Sequence, residues 1–239
     1  MIIENEINIT NNSEEFIHTA LRKPRSIIVL RGSISPSDKE IYTYLDQLGS
    51  QHPSLYGKIT IIKNDPSIKN STAMSLNALV PHTDGAFIEN PPSRTILSFI
   101  NSDPKGGGAS IFIPLGKILA DLPNWAMDAL TNDYYLFPRT YDGNLSDSYT
   151  GPVLNKDPQG NFNIRWRADK FYRPKVVKNN DTRGAEAIDW LYTYIEKCKP
   201  ITYDAKSGET LLVPNSAMLH GRTPLSPNST REVLRVWIV

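Results

Sequence analysis

The 239-residue chain carries 26 Lys and Arg against 25 Asp and Glu, a formal net charge of +1 with neither sign gathered into a block. That length suits one large domain with a substantial core, and the charge balance argues against a nucleic-acid partner or a membrane surface held through a basic patch. The polar, acidic start MIIENEINITNN lacks a secretory pattern, aliphatic runs such as Ile27 to Leu30 are far too short to span a membrane, and Cys198 is the only cysteine, so a cytoplasmic protein without an intrachain disulfide is expected.

Residues 1–56 read as a helical portion packed on the rest. Ser13 opens SEEFIHTALRK (13–23), whose apolar residues recur at helical spacing, and RSIIVLRG (26–33) reads as a buried strand ended by glycine. SPSDKEIYTYLDQLG (35–49) reads as a second helix, with Ser35 or Ser37 as N-cap and Gly49 as its stop. After it the pattern changes. GKITIIK (57–63), SRTILSFI (93–100), ASIFI (109–113), YYLFPRTY (134–141), GETLLVP (208–214) and EVLRVWIV (232–239) are rich in branched and aromatic residues and read as strands. TGPVLNKDPQGNFNIRWR (150–167) reads as two strands around a turn at Asp157-Pro158-Gln159-Gly160. Two further helices are predicted over 113–132 and 182–200, and the polar, turn-rich stretch within 140–160 is the candidate lid. The sum is a mainly β domain spanning 1–239, a closed or double-sheet architecture with flanking helices.

Within LVPHTDGAFIEN, read as a buried strand, His82 and Asp84 stand two apart, which would aim both side chains at one point. Burying either group is costly without a partner. Of the other histidines, His18 lies in the first helix and His52 in a loop, whereas His220 follows a strongly apolar strand in LLVPNSAMLHGRTPLSP. Two histidines and one carboxylate make the facial triad that leaves coordination positions open on Fe(II); the same set can hold Zn²⁺ for hydrolysis. Arg231 and Arg235 follow His220 and share one face of the last predicted strand with Val233 and Trp237. Two cations aimed at an interior call for anions there.

His82-Thr83-Asp84, then Gly107-Gly108-Ala109-Ser110, then PNSAMLHGRTP with Arg231 and Arg235 resemble, in order and spacing, the Fe(II)/2-oxoglutarate-dependent dioxygenases of the taurine dioxygenase and clavaminate synthase-like type. The resemblance runs from about residue 77 onward. It implies a double-stranded β-helix, a jelly roll with a cupin-like core. It also implies Fe(II) held by His82, Asp84 and His220, and 2-oxoglutarate anchored through its far carboxylate on Arg231 with help from Ser110, where threonine is usual. The activity it implies is O₂-dependent oxidation of an unreactive C–H bond, with release of succinate and CO₂. Related halogenases have a small residue in place of Asp84, so hydroxylation, desaturation or ring formation is expected here.

For the prime substrate the candidates are Asn77, Phe87, Glu89, Arg94, Arg165, Arg167 and Arg235, with Asp169 beside them. Both signs of charge favour a small zwitterion such as a free amino acid. A divalent-metal hydrolase on a cupin-like fold is the alternative from another class; it would need neither Arg231 nor 2-oxoglutarate. Nothing in the sequence speaks to the oligomeric state.

Overall fold

The computed structural model describes residues 7–31, 45–52, 57–68, 71–141, 144–169, 172–177 and 182–239. Its first half contains β1 (Ile7–Thr10), α1 (Ser13–Arg22), β2 (Ile27–Arg31), β3 (Gln51–His52), β4 (Ile59–Lys63), β5 (Leu79–His82), β6 (Arg94–Asn101) and β7 (Ser110–Pro114). Then come α2 (Leu115–Asp121), α3 (Asn124–Asn132), β8 (Tyr135–Tyr141), β9 (Asn144–Gly151), β10 (Leu154–Lys156), β11 (Phe162–Ile164) and β12 (Lys175–Val176). The rest is α4 (Thr182–Lys197), β13 (Ile201–Tyr203), β14 (Glu209–Val213), β15 (Met218–Arg222) and β16 (Glu232–Ile238).

Of the four sheets among the described residues, β10-β11 and β12-β8-β9 are small, and the other two form the core. The larger runs β1-β2-β14-β6-β16-β3, with β4 also paired to β16, and the smaller runs β13-β7-β15-β5. Side-chain alternation fixes what each face touches. Ile27, Val29, Phe99, Leu211, Val213 and Val233 of the larger sheet join Phe112 and Met218 of the smaller one in a single cluster, the layer between the sheets. Their neighbours Ile28, Leu30, Ile96, Leu212, Val236 and Ile238 point the other way, onto Phe16, Ile17 and Ala20 of α1. Ile113 and Leu219 cover the outer face of the smaller sheet together with Ile118, Leu130, Ile188 and Leu191 from α2, α3 and α4. β2 and β14 are therefore covered on both sides, which is why they read as unbroken apolar runs.

Two expectations are corrected, and a third falls largely outside the described residues. The N-terminal portion is not a helical layer alone, because β1 and β2 extend the larger sheet. The predicted second helix falls largely on residues outside the described set; its described end is a 3-10 turn at Asp46–Leu48, closed by Gly49. The single helix expected over 113–132 is two, because Pro123 removes a backbone donor and restricts Leu122 before it. The stretch named as the candidate lid forms an antiparallel arm, β9 pairing with β8 from Tyr135↔Gly151 to Tyr141↔Asn144. α1 begins where expected, but its cap is Asn12, whose side chain accepts from the Glu15 amide at 2.8 Å.

Candidate metal centre

His82 closes β5 and stands directly across from His220 on β15. Their ring centroids are 4.6 Å apart. β5 ends at His82, so Asp84 is not the next inward residue of a strand. It reaches the same point from the following turn, where Gly85 takes a φ of +66° and an added Cβ would meet Pro92 Cδ at 2.8 Å. His82 Nε2 lies 3.8 Å from Asp84 Oδ1 and His220 Nε2 lies 3.4 Å from Oδ2. Ligand atoms of the three residues fall within 4.8 Å of one another, and all three residues are buried.

The electrostatics suit a cation. His82 Nδ1 donates to the Val80 carbonyl at 2.9 Å, which leaves the Nε2 lone pair facing the triad. Burial, partly offset by Asp84, keeps the His82 imidazole below its ordinary pKa and so neutral. Burial works against ionisation of Asp84 too, but Arg235 first, and then His220, hold its carboxyl well below the usual carboxylate range. Arg235 donates to Asp84 Oδ1 at 3.0 Å and Thr95 to Oδ2 at 2.9 Å. Each oxygen keeps lone-pair capacity for a metal. Two imidazoles, that of His82 held neutral, and an ionised, oriented carboxylate fit Fe(II).

Sequence reasoning missed the supports of this carboxylate. Asn215 accepts from the Asp84 amide at 2.7 Å and donates to the Asp84 carbonyl at 3.1 Å and the Pro92 carbonyl at 2.7 Å. Thr95 was visible as a polar residue in the apolar run RTILSFI, and Asn215 stands in PNSAMLHGR just ahead of His220. Neither had a partner until the fold supplied one.

Arg231 lies on the inter-sheet side with Val233, its guanidinium 5.0 Å from the Phe99 ring centroid. It is buried, and among the described residues its side chain has neither an ion-pair nor a hydrogen-bond partner. Burial, with Arg222 nearby, brings its pKa down to about 10. Gly108, at a φ of +73°, leaves room for it, since a Cβ there would approach Arg231 Cδ to 3.1 Å. Ser110 is buried at the start of β7, level with Arg222 on β15. Arg222 is occupied, donating to the carbonyls of Asn77, Ala73 and Ser75.

The substrate candidates divide. Phe87 is buried three residues beyond Asp84, with the Arg139 guanidinium 4.4 Å from its ring and Tyr172 at 6.5 Å. Arg167 pairs with Asp169 at 3.1 Å, lies 4.1 Å from the Tyr172 ring, and is close enough to His82 to lower its pKa. Arg235 is at the centre, but on Asp84 rather than in an open pocket. Arg165 is spent on the carbonyls of Ala86, Ile88 and Glu89 and lies 3.6 Å from the Tyr149 ring, so it pins the loop after Asp84. Glu89 and Asn77 are exposed and contribute carbonyl oxygens to Arg165 and Arg222. Arg94 is not at the site. Its neighbour Thr95 faces Asp84, so strand alternation turns Arg94 outward onto the Leu48 carbonyl at 2.8 Å. His18 and His52 stay apart from the centre, one exposed on α1 and the other beside Trp237.

Comparisons with known proteins agree with this geometry. The structure of an asparagine oxygenase with Fe(II), 2S,3S-3-hydroxyasparagine and succinate superposes with a TM-score of 0.74, at 18% identity over 95% of this chain and 78% of that one. The non-heme iron oxygenase OrfP with Fe and alpha-ketoglutaric acid gives 0.72, again at 18% identity over 95% and 78% of the two chains. The two sheets are thus the jelly roll of these oxygenases. In sequence, the chain is 24% identical over 227 residues to 3-((Z)-2-isocyanoethenyl)-1H-indole synthase of Fischerella ambigua (strain UTEX 1903), covering 89% of this chain and 82% of that protein. It is also 24% identical over 262 residues to isocyanide synthase xanB of Aspergillus fumigatus, covering 92% of this chain but only 33% of that protein. The family model for taurine catabolism dioxygenases matches residues 4–237. The chain therefore belongs to the TauD, TfdA family and is an Fe(II)- and 2-oxoglutarate-dependent dioxygenase.

Proposed function

We propose that this dioxygenase oxidises a small, amino-acid-type molecule in the cytoplasm, with hydroxylation as the principal outcome. Arg231 carries the cosubstrate half of the reading: a buried cation with no salt bridge among the described residues, Asp103 acting on it only from beyond salt-bridge distance, on the same inter-sheet face that Arg235 shares with the triad. A guanidinium matches a carboxylate bidentately and stays charged at working pH. When bound, Fe(II) with 2-oxoglutarate and O₂ supplies the chemistry, oxidative decarboxylation to succinate and CO₂ coupled to oxidation of a C–H bond.

The chain's own residues bind and orient. His82, Asp84 and His220 would hold the metal, with His82 kept in one tautomer by the Val80 carbonyl. Arg231 takes the far carboxylate of the cosubstrate, and Ser110 adds a hydroxyl. Arg235 and Thr95 keep Asp84 ionised and turned inward. Phe87, buried three residues after Asp84, and Arg167, close enough to His82 to act on its pKa, are the side chains we assign to the substrate, and together they would suit a small molecule with an anionic group. The β8–β9 arm, reached through Arg165 stacked on Tyr149, is the cover over this side of a single oxygenase domain. No helix among the described residues is long and apolar enough to cross a membrane.

The amino-acid assignment is supported by the hydroxy-amino acids bound in the two structural relatives. A desaturating oxidation is the second reading. The curated relative from Fischerella ambigua is named for a product with a carbon–carbon double bond. One experiment separates the outcomes. Succinate release from 2-oxoglutarate is followed with Fe(II), ascorbate and O₂ across the free amino acids and their N-modified derivatives, with mass analysis of the product. A gain of one oxygen reports hydroxylation, and a loss of two hydrogens reports desaturation or ring closure. No succinate with any member of the panel, alongside metal-dependent hydrolysis of one, would return the hydrolase.

A further inference from the structure

We infer that Asn215 and Thr95 are positioning residues for the metal ligand Asp84, fixing its peptide and its carboxylate before a metal arrives. Asn215 is buried, with 1% of its surface exposed. Its carboxamide uses the acceptor on the Asp84 amide at 2.7 Å and both donors, on the Asp84 carbonyl at 3.1 Å and the Pro92 carbonyl at 2.7 Å. A buried asparagine that merely satisfied loose loop carbonyls would have no need of both peptide groups of the ligand itself. The bond to Pro92 joins the far end of the Asp84–Pro92 loop to its start, so one side chain closes the loop at its base.

The placement of Asn215 adds a second link. It lies in the turn between β14 and β15, where the Ala217 amide donates to the Pro214 carbonyl at 2.9 Å. That turn leads directly into the strand bearing His220. One short segment thus sets two of the three ligands, His220 through the backbone of β15 and Asp84 through Asn215. Thr95 works from the larger sheet, donating to Asp84 Oδ2 at 2.9 Å, and so removes the rotation that the peptide bonds leave free. Ligands held by such outer partners need no reordering when the metal binds, and loss of those partners typically weakens metal binding about 10- to 100-fold.

The inference rests on the metal-centre reading, and the test separates the two. Co(II) alone is titrated into the full chain without cosubstrate, read by its visible absorption, while melting is followed in parallel. Asn215→Ala is expected to weaken Co(II) binding about 10- to 100-fold, and Thr95→Val, nearly isosteric, about 10-fold, both with altered Co(II) bands. Ser98→Ala serves as the stability control: Ser98 stands on the same strand as Thr95 but on its opposite face, and the substitution breaks its buried 2.9 Å contact with Thr210 on β14. It should lower the melting temperature and leave Co(II) affinity unchanged. Folded Asn215→Ala and Thr95→Val proteins with wild-type Co(II) affinity and spectrum would overturn the inference. If Asn215→Ala does not fold, Thr95→Val decides alone, by the same criterion. Co(II) binding that survives His82→Ala would instead remove the metal-centre reading, and this inference with it.

Discussion

Arg235 and Asp84 form a buried ion pair at 3.0 Å, with side chains 14% and 2% exposed, and Arg235→Met removes the charge while keeping much of the volume over the Trp237 ring. A carboxylate is then left in a dry site with only Thr95 and two imidazoles beside it. Breaking a buried pair from one side costs about 3–5 kcal/mol. At roughly 2–4 °C per kcal/mol for a chain of this size, the metal-free protein should melt about 6–20 °C lower. The sign with pH follows from the depressed carboxyl. Asp84 contributes stability above its unfolded value, near 3.9, and loses that contribution as the pH falls through its lower folded value. The gap between wild type and variant should therefore be full above about pH 5 and narrow below about pH 4. A divalent ion on the triad supplies the missing positive charge, so saturating Co(II) should recover most of the loss, and its stabilising shift should be larger in Arg235→Met than in wild type. Scanning calorimetry with chelator and with Co(II) checks both. An equal loss with and without metal would refute the argument, because Arg235 would then act through packing and not through charge.

Arg231→Ala should weaken 2-oxoglutarate by roughly 30- to 3000-fold, from about 2–5 kcal/mol for a buried charge pair cut on one side, with metal binding retained; the 2-oxoglutarate dependence of succinate formation at fixed Fe(II) measures it, and an unchanged dependence removes Arg231 as the anchor. Ser110→Ala, losing one hydroxyl to a charged group, should cost less, about 1.5–3 kcal/mol in the same titration. His82→Ala or His220→Ala should abolish the weak visible band expected from anaerobic Fe(II) with 2-oxoglutarate, and a retained band in both would break the triad. Arg94→Met should leave succinate kinetics intact while lowering stability by about 1–3 kcal/mol through its lost bond to the Leu48 carbonyl, read by urea unfolding; a kinetic defect without a stability loss would return Arg94 to the site.

The triad was legible in the sequence because its members are few and chemically specific. Four histidines leave little room for error, and His220 stands beside an apolar strand. The alternation of the last strand also carried over, with Arg231, Val233 and Arg235 facing inward. Other features resist a one-dimensional reading. Arg235 and Arg94 look equally available for substrate, and only the pairing of β16 and β6 reveals that one meets Asp84 and the other the Leu48 carbonyl. β9 was lost to its polarity, since its described side chains, Ser148, Tyr149 and Thr150, are not buried and leave no period-two signal of a core. The dipeptide Asp142-Gly143 between two paired runs was the available hairpin cue. β15 was missed because glycine and arginine follow His220 and the ladder shifts register there.

β16 runs between β6 on one side and β3 and β4 on the other, and it carries Arg235 with Arg231 just ahead of it. Asp84 and Arg235 are 151 residues apart in sequence. During synthesis, His82 and Asp84 therefore leave the ribosome long before their counter-charge, the second histidine or the proposed cosubstrate anchor exists. Pairings this distant form late, after the loop-closure cost has been met. The seating of β16 is thus the step that brings Asp84 its counter-charge and the site its proposed cosubstrate anchor. A nascent chain caught before that step lacks both, so the triad stands without its counter-charge and without the proposed anchor for the cosubstrate.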